Sequence, residues 1–463
     1  MEHRDNERGG RGLALTRWKY VSAAVLTAVV MLSSGCDQKP QQASSPKGVL
    51  KIAFGSEESF QHMYADYFIA KFPELEVQII PTQDIYGQGK DPLKEYMKLV
   101  DEQRPDLLFT NSFDYDKLAS TGRLYDLSPL VAKDHFDIEN LLPAAVDYLK
   151  IKGQGKLYGL APSFSSSVMF YNKDLFDRYQ IPYPTDRMTW EDMFRLAARF
   201  PADGSKAERI YGFHMGYMKS PQDFADYIGQ TQGLSLVDAE GKKLLINTEA
   251  WKRIYTMVIE GYKSGMLQWT YSPEDKTRFD KEDVEAEDLF SAGRSAMTIS
   301  NIGQISGLKQ RGATFAWSMT STPSADPNHK RSPNFYLYPI FSINAQAENV
   351  TNAWEVVKFF NSAEAARIEA KTSVELPVRK AFAKEMDGHS LEPFYQISYD
   401  ETTQASYNES IPRSFGEAYR KVSLQQVSAM MKGEVSVDKG LQQLQEQGQL
   451  ALDEAWAVAA AGK

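Results

Sequence analysis

Two carboxylates in the sequence stand where they could do acid–base chemistry. Glu57 follows the run VLKIAF, and Asp114 comes shortly after the run PDLLF. A pair of carboxylates that flanks a glycosidic bond can act as general acid and nucleophile, which would make the chain a secreted carbohydrate hydrolase. The same groups could instead accept hydrogen bonds from sugar hydroxyls without any reaction. The residues alone leave both interpretations open.

Motifs typical of other enzyme classes are missing from the sequence. It contains no His-Glu-x-x-His pair, no Cys/His cluster and no Gly-x-Ser-x-Gly elbow. The stretch GQGKLYG at 153–159 is one residue away from a dinucleotide fingerprint, but it follows no convincing strand. We therefore expect no catalytic residue, no cofactor and no metal ion, and we predict a binding protein.

The net charge and the length of the chain bear on its partners and on its number of domains. The chain has 463 residues and a formal net charge of −9. This acidic balance argues against nucleic acid as a partner, because phosphate binding requires clustered Lys and Arg. The length exceeds what one hydrophobic core usually serves, so the sequence predicts two domains.

The N-terminal residues have the pattern of a secretion signal. Basic residues precede an apolar run at 21–32, which is shorter than the roughly 20 residues that span a bilayer. The single cysteine, Cys36, stands directly after SSG, and one cysteine allows no intrachain disulfide. The residues that follow it are polar and proline-bearing, as in a flexible tether. We predict a signal peptide at 1–35 and a tether at 36–48.

Strand and helix patterns alternate along the chain, most clearly at 157–198. There the run VMFY predicts a buried strand, and the apolar positions of the next eight residues predict a helix. Prolines end that helix, and Thr189 is expected to cap the next one. Repeated alternation predicts an α/β fold with a mostly parallel sheet covered by helices on both faces.

Polar residues follow two of the predicted strands. In open α/β sheets, ligands bind beyond the carboxyl ends of strands, so these residues are candidate ligand contacts. They are Ser56, Glu57, Asn111, Ser112, Phe113 and Asp114. Asp114 could instead cap the helix that follows, and Phe113 could pack in the core.

The segment at 157–198 resembles the signature segment of the family 1 extracellular solute-binding proteins of bacterial ABC importers, which are similar to maltose-binding protein. Shared features are a proline after the glycine-tyrosine lead-in, an apolar strand that ends in YNK, and a Thr-Trp helix start. The blocks at 105–130 and 289–300 resemble the family as well. The resemblance implies a two-lobed, periplasmic-binding-protein-like (type II) fold, each lobe a mixed, mostly parallel sheet flanked by helices, with a three-segment hinge.

The expected lobes are discontinuous. The chain would cross between them near Ser163, Tyr336 and Lys371. Lobe 1 would then consist of residues 49–162 and 336–371, and lobe 2 of residues 163–335 and 372–463.

Further candidate ligand contacts lie in polar and aromatic segments, several of which resemble ligand loops of the family. They are Ser165, His214, Trp269, Asn301, Tyr336 and Phe415. Tyr419 could replace Phe415 as the stacking aromatic, His214 could be an ordinary histidine, and Trp269 could lie on the surface. Many sugar binders of the family have a tryptophan where this chain has Ile302 and Gly303, so a stacking platform is not expected there.

Membership of this family would make the chain the substrate-binding component of an ABC importer. SSGC resembles a lipobox, so Cys36 would carry a lipid and hold a monomer on the outer face of the cell membrane, although Leu32 lies four rather than three residues before it. Hinge closure would capture a solute for the transmembrane permease subunits. We expect a carbohydrate, in particular an oligosaccharide, because the family mostly serves sugars. A peptide, a polyol or a polyanionic saccharide bound by Lys219, Arg379 and Arg413 remains an alternative, as does the hydrolase.

Overall fold

The structure is a computed structural model that describes residues 46–86, 91–186, 188–205, 208–218, 220–268, 287–325, 335–372, 375–399 and 411–461. All elements described below belong to the compact unit Lys47–Lys463. Strands and helices alternate through this unit, which confirms the predicted α/β class.

The strands of the described residues fall into three sheets and one hairpin. In chain order they are β1 (Gly48–Phe54), β2 (Leu75–Pro81), β3 (Leu107–Thr110), β4 (Gly159–Leu160), β5 (Ser163–Ser165), β6 (Val168–Asn172), β7 (Tyr211–Phe213), β8 (Ser295–Ser300), β9 (Trp317–Thr320), β10 (Tyr336–Leu337), β11 (Ile340–Ile343), β12 (Leu376–Pro377), β13 (Glu385–Met386) and β14 (His389–Ser390).

Helices cover the sheets. Those described are α1 (Glu57–Lys71), α2 (Pro92–Gln103), α3 (Ser112–Ser120), α4 (Ser128–Lys133), α5 (Pro143–Lys152), α6 (Lys173–Arg178), α7 (Trp190–Ala197), α8 (Pro221–Thr231), α9 (Glu249–Lys263), α10 (Gly303–Gln310), α11 (Val350–Phe360), α12 (Ala363–Thr372), α13 (Glu392–Tyr395), α14 (Arg413–Lys432) and α15 (Val437–Ala461). Short 3-10 turns lie at Gln83–Tyr86, Ile138–Asn140 and Lys380–Phe382. Within the described part of the chain, none of the helices combines the length and apolar character needed to cross a membrane.

The two larger sheets are mixed, and most of their strands run in one direction. The first has the order β2-β1-β3-β11-β4, in which β1 is parallel to both neighbours and β11 is antiparallel to β3 and β4. The second has the order β7-β8-β6-β9, with β7 parallel to β8 and β6 antiparallel to both of its neighbours. Only β11 and β6 run against the rest, which agrees with the predicted mixed, mostly parallel sheets.

A third, small sheet joins short segments that are distant in sequence. Its order is β10-β5-β12, and both pairings are antiparallel. Tyr336 pairs with Ser165, and Leu376 pairs with Phe164.

Local sequence explains why the elements begin where they do. The segment at 157–198 forms the strand, helix, proline turn and helix that its pattern predicts. Thr189 caps α7 in a capping box, since its hydroxyl accepts from the backbone N–H of Asp192 and the Asp192 carboxylate accepts from the backbone N–H of Thr189.

Buried side chains form two cores. The first lies around the five-stranded sheet and reaches from Leu50 to Tyr395 in sequence. Its aromatic rings interlock, with Phe341 stacked on Phe360 at 4.8 Å between centroids. The second lies around the four-stranded sheet. There the indole N–H of Trp190 donates to the Thr231 hydroxyl at 2.7 Å, so this buried polar atom is satisfied.

Candidate functional site

The carboxyl ends of β1 and β3 meet at one edge of the first sheet. Their register pairs Ala53 with Leu108, so the residues that follow the two strands are neighbours. β11 begins at the same edge, because Ile340 pairs with Thr110. The predicted contacts Ser56, Glu57, Asn111, Ser112, Phe113 and Asp114 are therefore brought together.

Asn111 organises the start of α3. Its side-chain oxygen accepts hydrogen bonds from the backbone N–H groups of Phe113 at 2.8 Å and Asp114 at 2.9 Å. Its Nδ2 donates to the Asp114 carboxylate at 2.6 Å. The N-cap of α3 is thus Asn111 rather than Asp114. The side-chain amide of Asn111 makes its hydrogen bonds within the protein.

Asp114 is a carboxylate withdrawn from water. Partial burial raises the pKa of Asp114 to about 6, against the opposing effect of the hydrogen bond from Asn111. Such a carboxylate gains from any hydrogen-bond donor that a ligand brings to it.

Ser56 and Glu57 occupy the start of α1. The Ser56 hydroxyl accepts from the backbone N–H of Ser59 at 3.1 Å and so caps the helix. Glu57 is exposed in the first turn, where its carboxylate accepts from Gln61 at 3.3 Å.

Three aromatic rings are exposed around this edge. Phe113 is 39% exposed, Tyr336 43% and Tyr338 48%. The rings of Tyr336 and Tyr338 are stacked with centroids 6.3 Å apart. Tyr338 was not among the predicted contacts. The sequence FYLYP could have indicated Tyr338, because alternation along a strand places Tyr336 and Tyr338 on the same face, opposite to that of Leu337.

Ser112 differs from the predicted role of a ligand contact. Its hydroxyl lies against the backbone of Leu337: it donates a hydrogen bond to the carbonyl of Leu337 and accepts one from the N–H of the same residue. The hydrogen bonds of this hydroxyl are therefore made to β10, because the start of α3 packs against that strand.

Ser165 is the last residue of β5 in the small sheet, and Asn301 lies near it. Ser165 is the direct partner of Tyr336 across β5 and β10. Asn301 follows β8, whose last residue, Ser300, pairs with Val168. The structure thus brings Asn301 close to the residues that follow Ser165, and Asn301 is exposed there.

His214 lies at the carboxyl end of β7 but is 3% exposed. Its backbone N–H donates to the carbonyl of Met297 at 3.1 Å. The side chain lines a small pocket together with Met218, Tyr262 and Gln268. In this structure its imidazole is packed inside the second core region and is not presented to solvent.

Phe415, predicted to stack on the ligand, is a core residue in this structure. It is 4% exposed and packs on Tyr419, with ring centroids 5.3 Å apart. Both rings belong to the second core, because α14 turns its apolar face toward it. Trp269 and Cys36 lie outside the described residues.

Arg379 is already paired, so it is not a cation available to a polyanion. Its guanidinium donates to both carboxylate oxygens of Asp137, at 2.7 and 2.6 Å, and to the carbonyl of Asn361 at 2.8 Å. Lys219 and the side chain of Arg413 lie outside the described residues.

Glu369 is an acid near this edge that sequence patterns did not reveal. Glu369 lies on α12. Burial raises the pKa of the Tyr64 hydroxyl, and the nearby Tyr338 and Glu369 raise it further. Burial raises the pKa of Glu369 to about 7, and its Oε2 is buried without a hydrogen-bond partner. A helical pattern alone would have placed this residue on a solvated face.

Two pockets away from this edge contain none of the predicted contacts. Two pockets of about 560 and 430 Å³ flank the β13–β14 hairpin, and neither is lined by a predicted site residue. We place the candidate site at the sheet edge, because the exposed rings and polar groups converge there. Among the described residues, no group of three or more His, Cys, Asp or Glu is arranged to hold a metal ion.

The two larger sheets, each with its own core, give the fold of the two-lobed periplasmic binding class. The model of the bacterial extracellular solute-binding protein family matches residues 100–392. This match covers well over half of the chain, so the chain belongs to that family. A comparison with curated protein sequences finds no match.

Solved structures share this fold at low sequence identity. The sugar-binding protein MalE from Xanthomonas citri has a TM-score of 0.61 and 16% identity, over 89% of this chain and 99% of that one. An extracellular solute-binding protein family 1 member from Alicyclobacillus acidocaldarius has a TM-score of 0.62 and 16% identity, over 88% and 99%. An ABC substrate-binding protein from Listeria monocytogenes, solved in complex with cycloalternan, has a TM-score of 0.55 and 21% identity, over 88% and 99%.

Proposed function

We propose that this protein captures an oligosaccharide at the carboxyl edge of the first sheet and delivers it to the permease subunits of an ABC importer. The observation that supports this most directly is the exposure of Phe113, Tyr336 and Tyr338 close to the carboxylate of Asp114. Aromatic faces stack on sugar rings, and carboxylates accept hydrogen bonds from hydroxyls. The pairing of Arg379 with Asp137 removes one of the three cations considered for a polyanionic saccharide.

Relatives of the same fold favour a carbohydrate over a peptide. The Listeria protein was solved with cycloalternan, and the Xanthomonas protein is described as sugar-binding. Family and neighbours are binding proteins, so we propose that the carboxylates hold the solute rather than cleave it.

Capture would occur by closure of two lobes about the small sheet. The proposed lobes are 49–162 with 336–371, and 163–335 with 372–463. Bending at β5, β10 and β12 would bring Asn301 and neighbouring loops of the second lobe over a solute held by the first. His214 would take part only if closure opened its pocket.

The extracytoplasmic location follows from the family. We further propose that a lipid on Cys36 anchors a monomer to the cell membrane. Metabolic labelling with a palmitate analogue tests this directly, because Cys36→Ser should abolish both the label and recovery in the membrane fraction. Undiminished labelling of Cys36→Ser would contradict a lipid at this residue.

A thermal-shift screen of residues 37–463 against mono- and oligosaccharides, with peptides and polyols as controls, tests the ligand class. A solute that binds the native state raises the melting temperature, and at 100 times Kd it adds about 2.7 kcal/mol to the free energy of unfolding. A dose-dependent rise with one saccharide class, and unchanged saccharide after long incubation, is the expected result. Release of a cleavage product would favour the hydrolase instead.

Two variants test the proposed location of the binding site. Phe113→Ala and Tyr338→Ala should each weaken saccharide binding about tenfold, since each removes one stacking face. Tyr183→Ala is the matched control, because Tyr183 is 38% exposed but lies near the opposite end of β6. Unchanged binding in Phe113→Ala and Tyr338→Ala would place the site elsewhere.

A further inference from the structure

A single hydroxyl joins the start of α3 to the strand β10. The Ser112 Oγ accepts from the backbone N–H of Leu337 at 3.3 Å and donates to the carbonyl of the same residue at 3.3 Å. One side chain thus satisfies both backbone polar groups of one residue.

The need for this contact follows from the position of Leu337. β10 is an edge strand that pairs only with β5, where Leu337 lies opposite Phe164. In an antiparallel pair the N–H and C=O of one residue point the same way, and here both point away from β5, toward Ser112. Leu337 is 0% exposed, so water does not satisfy these groups.

Ser112 is itself held firmly. It is the first residue of α3, directly before Phe113, and its backbone carbonyl accepts from the Tyr148 hydroxyl at 3.2 Å. On the other side, Leu337 directly follows Tyr336. The hydroxyl of Ser112 therefore links two backbone segments, distant in sequence, that carry the exposed rings of Phe113 and Tyr336.

We propose that Ser112 is a positioning residue that holds the Phe113–Asp114 turn and the Tyr336 ring as one preorganised ligand-binding surface. This inference rests on the proposed function. Ser112 does not touch the solute. Without its hydroxyl the two halves of the surface move independently, and binding must then pay the entropy of ordering them.

A double-mutant cycle tests whether Ser112 acts through Tyr336. The saccharide identified in the screen is titrated by calorimetry into wild type, Ser112→Ala, Tyr336→Ala and the double variant. Ser112→Ala should raise Kd about tenfold, and Tyr336→Ala should cost clearly less in the Ser112→Ala background than in wild type. Additive losses would overturn the inference, because a direct contact or general destabilisation by Ser112→Ala would leave the contribution of Tyr336 unchanged.

Two further variants control the cycle. Ser112→Thr retains the hydroxyl and should bind within about twofold of wild type. Ser120→Ala removes a hydroxyl at the other end of α3, which donates only within its own helix, to the Lys117 carbonyl at 3.1 Å. It should leave Kd unchanged. If Ser112→Ala does not fold, Ser112→Cys takes its place in the cycle.

Hydrogen exchange in the absence of solute separates this inference from the proposed function. The Leu337 amide should exchange at least about tenfold faster in Ser112→Ala than in wild type, and at the wild-type rate in Ser120→Ala. Unchanged exchange at Leu337 would overturn the inference even if saccharides bind. Failure of every saccharide to bind wild type would overturn the proposed function, while the exchange result would still decide the hydrogen bond.

Discussion

At the residue scale, Asn111 combines two roles that substitution can separate. Asn111→Ala removes the cap of α3 and the donor to Asp114, so we expect it to lower the free energy of unfolding by about 1 kcal/mol. Asn111→Ser keeps a capping oxygen but has no amide for Asp114. It should remain within about 0.5 kcal/mol of wild type in urea denaturation and yet bind saccharide more weakly. A stability loss in Asn111→Ser as large as in Asn111→Ala would contradict the capping role.

Glu369 predicts a pH-dependent stability. Its pKa rises from 4.5 to about 7 because the carboxyl is buried. An acid whose pKa is raised on folding contributes its full stability below 4.5, and that contribution is lost as the pH rises through about 7. Glu369→Gln should therefore be more stable than wild type at pH 8, by on the order of 2 kcal/mol, and the gain should disappear at pH 4.

Thermal unfolding of both proteins across this pH range provides the measurement. Glu364→Gln is a suitable control on the same helix, because its side chain is 51% exposed and paired with Lys71. A gain of equal size at pH 8 in the control would show that burial of Glu369 is not the cause.

At the scale of elements, Arg379 fastens the segment after β12 to two other parts of the first core. It is buried, binds Asp137 with both terminal nitrogens and donates from Nε to the carbonyl of Asn361, the residue directly after α11. Arg379→Lys removes the bidentate hydrogen bonding to Asp137, and we expect the free energy of unfolding to fall by about 2 kcal/mol. Asp137 is half exposed, which keeps the loss below that of a fully buried pair. A loss below about 0.5 kcal/mol would mean that the pair is screened by water.

Sequence patterns predicted the longer elements well. The strand VMFYN and the helix that starts at Thr189 depend on local periodicity and capping, and both are as predicted. The two-residue strands β10 and β12 have no such pattern, because their existence depends on a partner far away in the chain.

The candidate site was predictable as a location but not as a set of contacts. Strand ends pointed to Ser56 and to Asn111–Asp114, which do share one edge of the sheet. The directions of side chains depend on tertiary packing, which no local pattern contains. Ser112 therefore turned out to face β10, and Phe415 to lie in the second core.

At the scale of the whole molecule, the arrangement of the small sheet predicts a change of shape on binding. If β5, β10 and β12 form the hinge, the saccharide should reduce the radius of gyration measured by small-angle X-ray scattering. Phe113→Ala should shift this change to higher saccharide concentration, because it weakens binding, and Tyr183→Ala should not. A radius that stays constant at saturating saccharide would exclude large closure.

The position of β11 also has a consequence for how the chain is made. This strand lies between β3 and β4, and the residues that it joins to β3, Thr110 and Ile340, are 230 positions apart. During synthesis, the first sheet therefore lacks an internal strand until nearly three quarters of the polypeptide has left the ribosome. At about 5–20 residues per second, we expect this late closure to leave the nascent chain loosely structured for tens of seconds. Since the family is extracellular, we expect this delay to help keep the chain unfolded until it has been exported.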